Sequence, residues 1–154
     1  MPKRLLIVAH APSPRTVELR DAVVRGASAP ESSDVGIVMR PPLQAVADDV
    51  LAAQAVILGT TENLGYMSGA LKDFFDRIYH PCLERTQGLP YCLYIRAGQD
   101  GTGTRRAVES IATGLRWRAV QEPLICRGPF QDIFAAQCEE LGMAMAAGLE
   151  AGVF

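Results

Sequence analysis

The 154-residue chain has no block of like charge: Lys and Arg number 15 against 17 Asp and Glu. Without a basic stripe or an acidic tail there is no electrostatic footprint for nucleic acid or an anionic membrane surface, and a small molecule is the expected partner. Long hydrophobic runs are missing too. None approaches the ~20 residues that span a bilayer. The apolar stretch in "MPKRLLIVAHAPSPR" is also too short for a signal-peptide core, so a first strand and a cytoplasmic location are expected. The cysteines Cys82, Cys92, Cys126 and Cys138 show no C-x-x-C or Cys/His spacing, so no metal site is expected. Cys92 and Cys126 lie in apolar runs and read as core thiols; Cys82, just past a helix end, is the one placed for exposure. A Ser/His/Asp set, a carboxylate pair and a Gly-rich P-loop are all lacking, so no protein nucleophile is expected.

What is present is an alternation of short apolar runs with helical patterns. "LLIVA" (Leu5 to Ala9), "VGIVM" (Val35 to Met39), "AVILG" (Ala55 to Gly59), "YCLYI" (Tyr91 to Ile95) and "PLIC" (Pro123 to Cys126) are continuous rather than alternating. Strands buried on both faces of a parallel sheet read this way. Leu71, Phe74, Phe75 and Ile78 stand at i, i+3, i+4 and i+7, with Lys72, Asp73, Asp76 and Arg77 opposite, which predicts a helix laid on a sheet. Ala107, Ile111 and Leu115, then Phe134, Cys138, Leu141 and Met145, predict two more. Trp117, between Arg116 and Arg118, reads as helix-end packing.

The length fits one domain over residues 1–154. Right-handed crossovers between five strands give a three-layer αβα sandwich around a five-stranded parallel sheet. Five strands suit the order 2-1-3-4-5, whereas the six-stranded dinucleotide fold needs more chain. Pro123 agrees, since proline belongs on an edge or at a strand's first residue. "GASAPESSD" (Gly26 to Asp34) reads as a surface loop.

Ligands of such sheets bind beyond the carboxyl ends of the strands, where the order reverses, so three loops matter. In "HAPSPRT" (His10 to Thr16), Ser13 is placed as an N-cap with Pro14 at the first helical position. The hydroxyls of Ser13 and Thr16 and the guanidinium of Arg15 join the N–H groups of that turn, a cradle for a phosphate monoester. An ordinarily capped surface helix has the same residues, and both readings stand. In "TTENLGYMSG" (Thr60 to Gly69), Gly65 allows close backbone approach and Glu62 and Asn63 bring polar groups. Tyr66 and Met67 add flat and soft apolar surface before Ser68 caps a helix. At that length a βα loop exceeds the usual run of about 2–6 residues, and it suits a planar heteroaromatic ring. "AGQDGTG" (Ala97 to Gly103) has glycines spaced G-x-x-G-x-G, with Gln99 and Asp100 for polar contacts beside Gly98. His10, ending the first strand, reads as a neutral hydrogen-bonding residue.

"GTTENLGYMSGALKDFFDR" resembles the third-strand loop and helix of the flavodoxin-like family that includes NAD(P)H-dependent FMN reductases and the quinone reductases related to the tryptophan-repressor-binding protein. "HAPSPRT" is similar to that family's phosphate loop and "AGQDG" to its fourth-strand loop. Thr61 stands where the family usually has proline, and Arg96 puts a charge at the end of the fourth strand. The resemblance implies a flavodoxin-like fold that binds FMN. Ser13, Arg15 and Thr16 would hold its phosphate, the segment Thr60, Thr61, Glu62, Asn63, Gly65, Tyr66 and Met67 its ring edge, and Gly98, Gln99 and Asp100 its flank. It further implies an oxidoreductase that passes electrons from NAD(P)H through the flavin to a quinone or other small acceptor. A flavodoxin-type carrier is the alternative, and the net charge of −2 favours the enzyme, because such carriers tend to be strongly acidic. A homodimer is expected, built on apolar surface at Ile78, Tyr79, Pro81 and Leu83.

Overall fold

The computed structural model describes residues 2–29 and 34–154. In chain order the elements are β1 (Lys3–Ala9), α1 (Pro14–Ala27), β2 (Val35–Arg40), α2 (Ala47–Leu51), β3 (Ala55–Asn63), β4 (Tyr66–Met67), α3 (Gly69–Cys82), β5 (Pro90–Ala97), α4 (Thr102–Gly114), β6 (Arg118–Ala119), β7 (Leu124–Arg127) and α5 (Ile133–Ala151). The five principal strands pair in parallel in the order β2-β1-β3-β5-β7, which is the expected 2-1-3-4-5. Pro123 immediately precedes β7, at the sheet edge. Two-residue β6 pairs with the start of β5 on the same side.

Successive residues of one strand feed opposite layers, so both faces of the sheet are covered. Leu6, Val8, Val56, Leu58, Leu93 and Ile95 pack with α3 and α4. Their neighbours Leu5, Ile7, Ile57, Cys92 and Tyr94 pack with α1 and α5. The central runs of β1, β3 and β5 are therefore continuously apolar because their residues meet a helix on one side or the other, while the edge strands β2 and β7 are only partly covered. Leu71, Phe74, Phe75 and Ile78 of α3 and Phe134, Cys138, Leu141 and Met145 of α5 are buried as the spacing predicts.

Several details differ from the sequence expectation. The buried face of α4 is Thr104, Val108 and Ala112, continued by Leu115. Ala107 and Ile111 are only partly covered, because α4 is rotated about one residue from the predicted stripe. Gly26 and Ala27 belong to α1 rather than to a loop, and residues 30–33 of that stretch lie outside the described residues. Cys82 is fully buried. It lies in the core beneath α2, a helix with no clear periodicity of its own, and burial pushes its thiol pKa up. Pro81 sits inside the last turn of α3, where it removes one backbone donor, yet the helix closes with Leu83 N–H donating to Tyr79 O at 2.8 Å. Ile78 is buried and Tyr79 and Leu83 are half-buried, which leaves Pro81 as the exposed member of the apolar set expected at a dimer contact. Trp117 is buried at a helix end, and its indole Nε1–H donates to Thr86 Oγ1 at 2.9 Å.

No helix among the described residues is long and apolar enough to cross a membrane.

Candidate functional site

The register brings the three loops to one edge. Ala9 lies opposite Gly59 and Thr61 opposite Arg96, so the chain leaves β1, β3 and β5 side by side at the carboxyl end of the sheet.

At the first loop Ser13 is the N-cap of α1, with Pro14 at the first helical position. The capping box closes on itself: Thr16 N–H donates to Ser13 Oγ (3.3 Å) and Ser13 N–H to Thr16 Oγ1 (2.9 Å). The Thr16 hydroxyl proton is committed to Ser13 O at 3.0 Å. Thr16 is 7% exposed, so it braces the turn. The Ser13 hydroxyl, beside Thr16 Oγ1 at 2.9 Å, keeps a rotatable proton. Arg15 pairs with Glu18 at 3.3 Å, and its guanidinium lies 4.4 Å from the Phe130 ring centroid. Arg96 approaches the same ring at 5.8 Å and that of Phe134 at 5.3 Å, while donating to Ala97 O and Cys126 O. The Arg96 charge is thus folded against the α5 side and bound to carbonyls. Phe130 was not singled out from sequence; the "RGPF" turn after the last strand places it at this same edge. The backbone N–H of half-buried His10 donates to Gly59 O at 2.9 Å, and burial lowers the pKa of its side chain, favouring the neutral imidazole.

The expected second loop is a β-hairpin. β3 runs on to Asn63 and pairs antiparallel with β4, Glu62 opposite Met67 and Asn63 opposite Tyr66. The two turn residues, Leu64 (φ 53°) and Gly65 (φ 76°), are both left-handed, as a two-residue turn that matches strand twist requires. Hairpin alternation then sorts the predicted ring contacts. Thr60 and Met67 face inward, 1% and 2% exposed. The Thr60 hydroxyl accepts Ser68 N–H at 3.0 Å and sits 3.2 Å from Ser68 Oγ, which caps α3 through Leu71 N–H. Asn63 and Tyr66 face out, with the Asn63 side-chain oxygen accepting from Thr61 Oγ1 at 2.7 Å. Leu64, fully exposed at the tip, carries no sequence signal beyond preceding a glycine.

The hairpin and the loop after β5 enclose a cleft of about 550 Å³ lined by Glu62, Leu64, Gly65, Gly98, Gln99, Asp100 and Gly103. Nothing lies within 4 Å of where a Cβ would stand at Gly65 or Gly98, so backbone is open to a ligand on both walls. Glu62, Gly65, Gly98, Gln99 and Asp100 are therefore brought together. Ser13, Arg15 and Thr16 stand on the neighbouring loop rather than in this cleft.

The fold is flavodoxin-like. An archaeal flavodoxin structure superposes with a TM-score of 0.80 at 17% identity, covering 96% of this chain and 99% of that one. A WrbA-like flavodoxin from Agrobacterium tumefaciens gives 0.75 at 16% identity over 97% and 98%. An oxidoreductase from Corynebacterium diphtheriae gives 0.72 at 15% over 97% and 95%. In sequence, a flavodoxin of Aquifex aeolicus (strain VF5) is 27% identical over 112 residues, which are 73% of this chain and 60% of that protein. No family model matches the chain.

Proposed function

We propose that the chain is a single FMN-binding domain and an oxidoreductase that takes electrons from NAD(P)H and delivers them to a quinone or another small acceptor. The cleft between the β3–β4 hairpin and the loop after β5 carries this reading. It lies at the carboxyl end of the sheet between β3 and β5, next to the reversal of strand order between β1 and β3 and one strand away from a hydroxyl-capped helix start. Its walls fit a planar ring, because Gly65 and Gly98 expose backbone with no side chain in the way. The Ser13 hydroxyl, the Arg15 backbone N–H, which has no partner among the described residues, and the Arg15 guanidinium fit a phosphate monoester. FMN, when bound, supplies the hydride and electron chemistry. The chain's part is to seat the phosphate at Ser13 and Arg15 and to hold the ring between Gly65 and Gly98–Asp100; Tyr66, on the outer face of the hairpin, does not line this cleft. Thr16 and Thr60 act behind the surface, fixing the backbone that makes these contacts.

Titration of the purified protein with FMN, riboflavin and FAD tests the binding, and FMN should bind most tightly. Oxidation of NADH or NADPH by the FMN-loaded protein with a quinone tests the activity. Equal affinity for FMN and riboflavin counts against the phosphate site. A second reading, a flavodoxin-type electron carrier, is favoured by the name of the Aquifex aeolicus relative. Absence of turnover with either nicotinamide, in a protein that binds FMN, would select it. Assembly as a homodimer about the α3 end, through Tyr79, Pro81 and Leu83, belongs to the enzyme reading, with the partner covering part of each flavin. A monomer by light scattering at micromolar concentration would remove it.

A further inference from the structure

We propose that Glu62 is a positioning residue rather than a ring ligand: its carboxylate latches the β3–β4 hairpin to the start of α4 and so sets the width of the cleft. This rests on the FMN reading for its consequence in binding, but not for the latch itself.

Three observations converge. Glu62 leaves β3 where the hairpin begins, and its two oxygens are both engaged across the cleft floor. Oε2 accepts Gly101 N–H at 2.7 Å and Oε1 accepts Gln99 N–H at 3.3 Å. The helix it reaches has no cap of its own. Gly101 is the N-cap, no side chain caps the turn, and the first turn of α4 holds no acidic residue. Asp100 does not serve, because its carboxylate is taken by the Thr102 hydroxyl and lies 3.8 Å from Arg127. The negative charge that the positive end of α4 favours is therefore supplied from another strand. Finally, the same two elements are tied twice more. Thr104 Oγ1 donates to Tyr66 O at 2.9 Å, and Gly103 approaches the Gly65 carbonyl so closely that a Cβ there would overlap it.

With these ties the hairpin tip and the α4 N-terminus behave as one wedge. Gly65 is on one wall and Gly98 to Asp100 on the other, and their separation depends on the bonds from Glu62. A carboxylate bonded to two backbone donors is a strong tie because the acceptor is charged. Cutting it leaves the Gly101 N–H without a partner and lets the β5 loop move away from Gly65.

The test compares Glu62→Ala and Glu62→Gln with the wild type. Amide hydrogen exchange on the flavin-free protein should speed up at Gly101 and Gln99 in Glu62→Ala by about tenfold or more, with Tyr66 and Gly65 loosened alongside. Glu62→Gln, whose amide oxygen still accepts one bond, should fall between. In binding, Glu62→Ala should weaken FMN and riboflavin by the same factor, about tenfold, and Glu62→Gln by less. Unchanged exchange at Gly101 with weakened flavin would make Glu62 a direct ring ligand and overturn the latch. Faster exchange with undiminished affinity for both flavins would overturn its role in the cleft. A wild-type chain that takes up no flavin overturns the FMN reading instead, and exchange at Gly101 and Tyr66 then decides the latch alone.

Discussion

Gly59 on β3 faces Tyr94 on β5, and a Cβ at Gly59 would overlap the end of the Tyr94 ring. The end of the tyrosine ring fills the space beside Gly59, the last residue of β3 that pairs with β1, and its hydroxyl is buried with no hydrogen-bond partner among the described residues. Burial pushes that phenol's pKa up beyond any physiological range. Gly59→Ala should therefore destabilise the fold by about 1–3 kcal/mol through overpacking. Tyr94→Phe should be neutral or stabilising by up to about 1 kcal/mol, because it removes a polar atom that has lost water and gained nothing. Urea denaturation of both variants measures this.

At the hairpin tip, Leu64 holds a left-handed backbone at φ 53° with its side chain fully in solvent. That conformation costs a side chain with a Cβ about 1–2 kcal/mol, less for asparagine. Leu64→Asn should raise the melting temperature, corresponding to about 0.5–1 kcal/mol. A fall would show that Leu64 packs against something at the tip.

Trp117 and Thr86, both buried, are joined by the indole bond at 2.9 Å. Thr86→Val keeps the volume and leaves the indole N–H without an acceptor, so a loss of about 1–3 kcal/mol is expected. Thr86→Ser, which keeps the oxygen, should lose less. Equilibrium unfolding separates the two.

His10 sets a pH dependence. Burial depresses its folded-state pKa below 6.5, so the unfolded chain binds the proton more readily. Stability should then fall as pH drops through 6.5 and level off below the folded pKa, while above 6.5 the contribution is complete. His10→Gln should flatten that part of the profile. Parallel urea midpoints between pH 5 and pH 7.5, about the range of histidine titration, measure the difference.

Arg15 spends its guanidinium on Glu18 and the Phe130 face, and both contacts are exposed enough to be given up to an anion. Arg15→Ala should weaken FMN by about 1–3 kcal/mol and leave riboflavin nearly unaffected. Fluorescence titration with the two flavins reads this directly.

The order of elements, the burial of the central strands β1, β3 and β5 on both faces and the caps at Ser13 and Ser68 were decided by the sequence alone. Each rests on an interaction within a few residues: a run with no polar face, a stripe at helical spacing, a hydroxyl three residues from the N–H that it accepts. The site was legible only as three loops at one edge. Within them, which side chains face a ligand was decided by tertiary structure, because extending β3 into a hairpin imposes a period of two that turns Thr60 and Met67 inward and Tyr66 outward. Glu62 shows the same limit from the other side. In the chain it is one acid in a polar stretch, and it becomes a cap only because the sheet brings Gly101, 39 residues further on, within 2.7 Å of its carboxylate. No local pattern records that distance, since it exists only once β3 and β5 are paired.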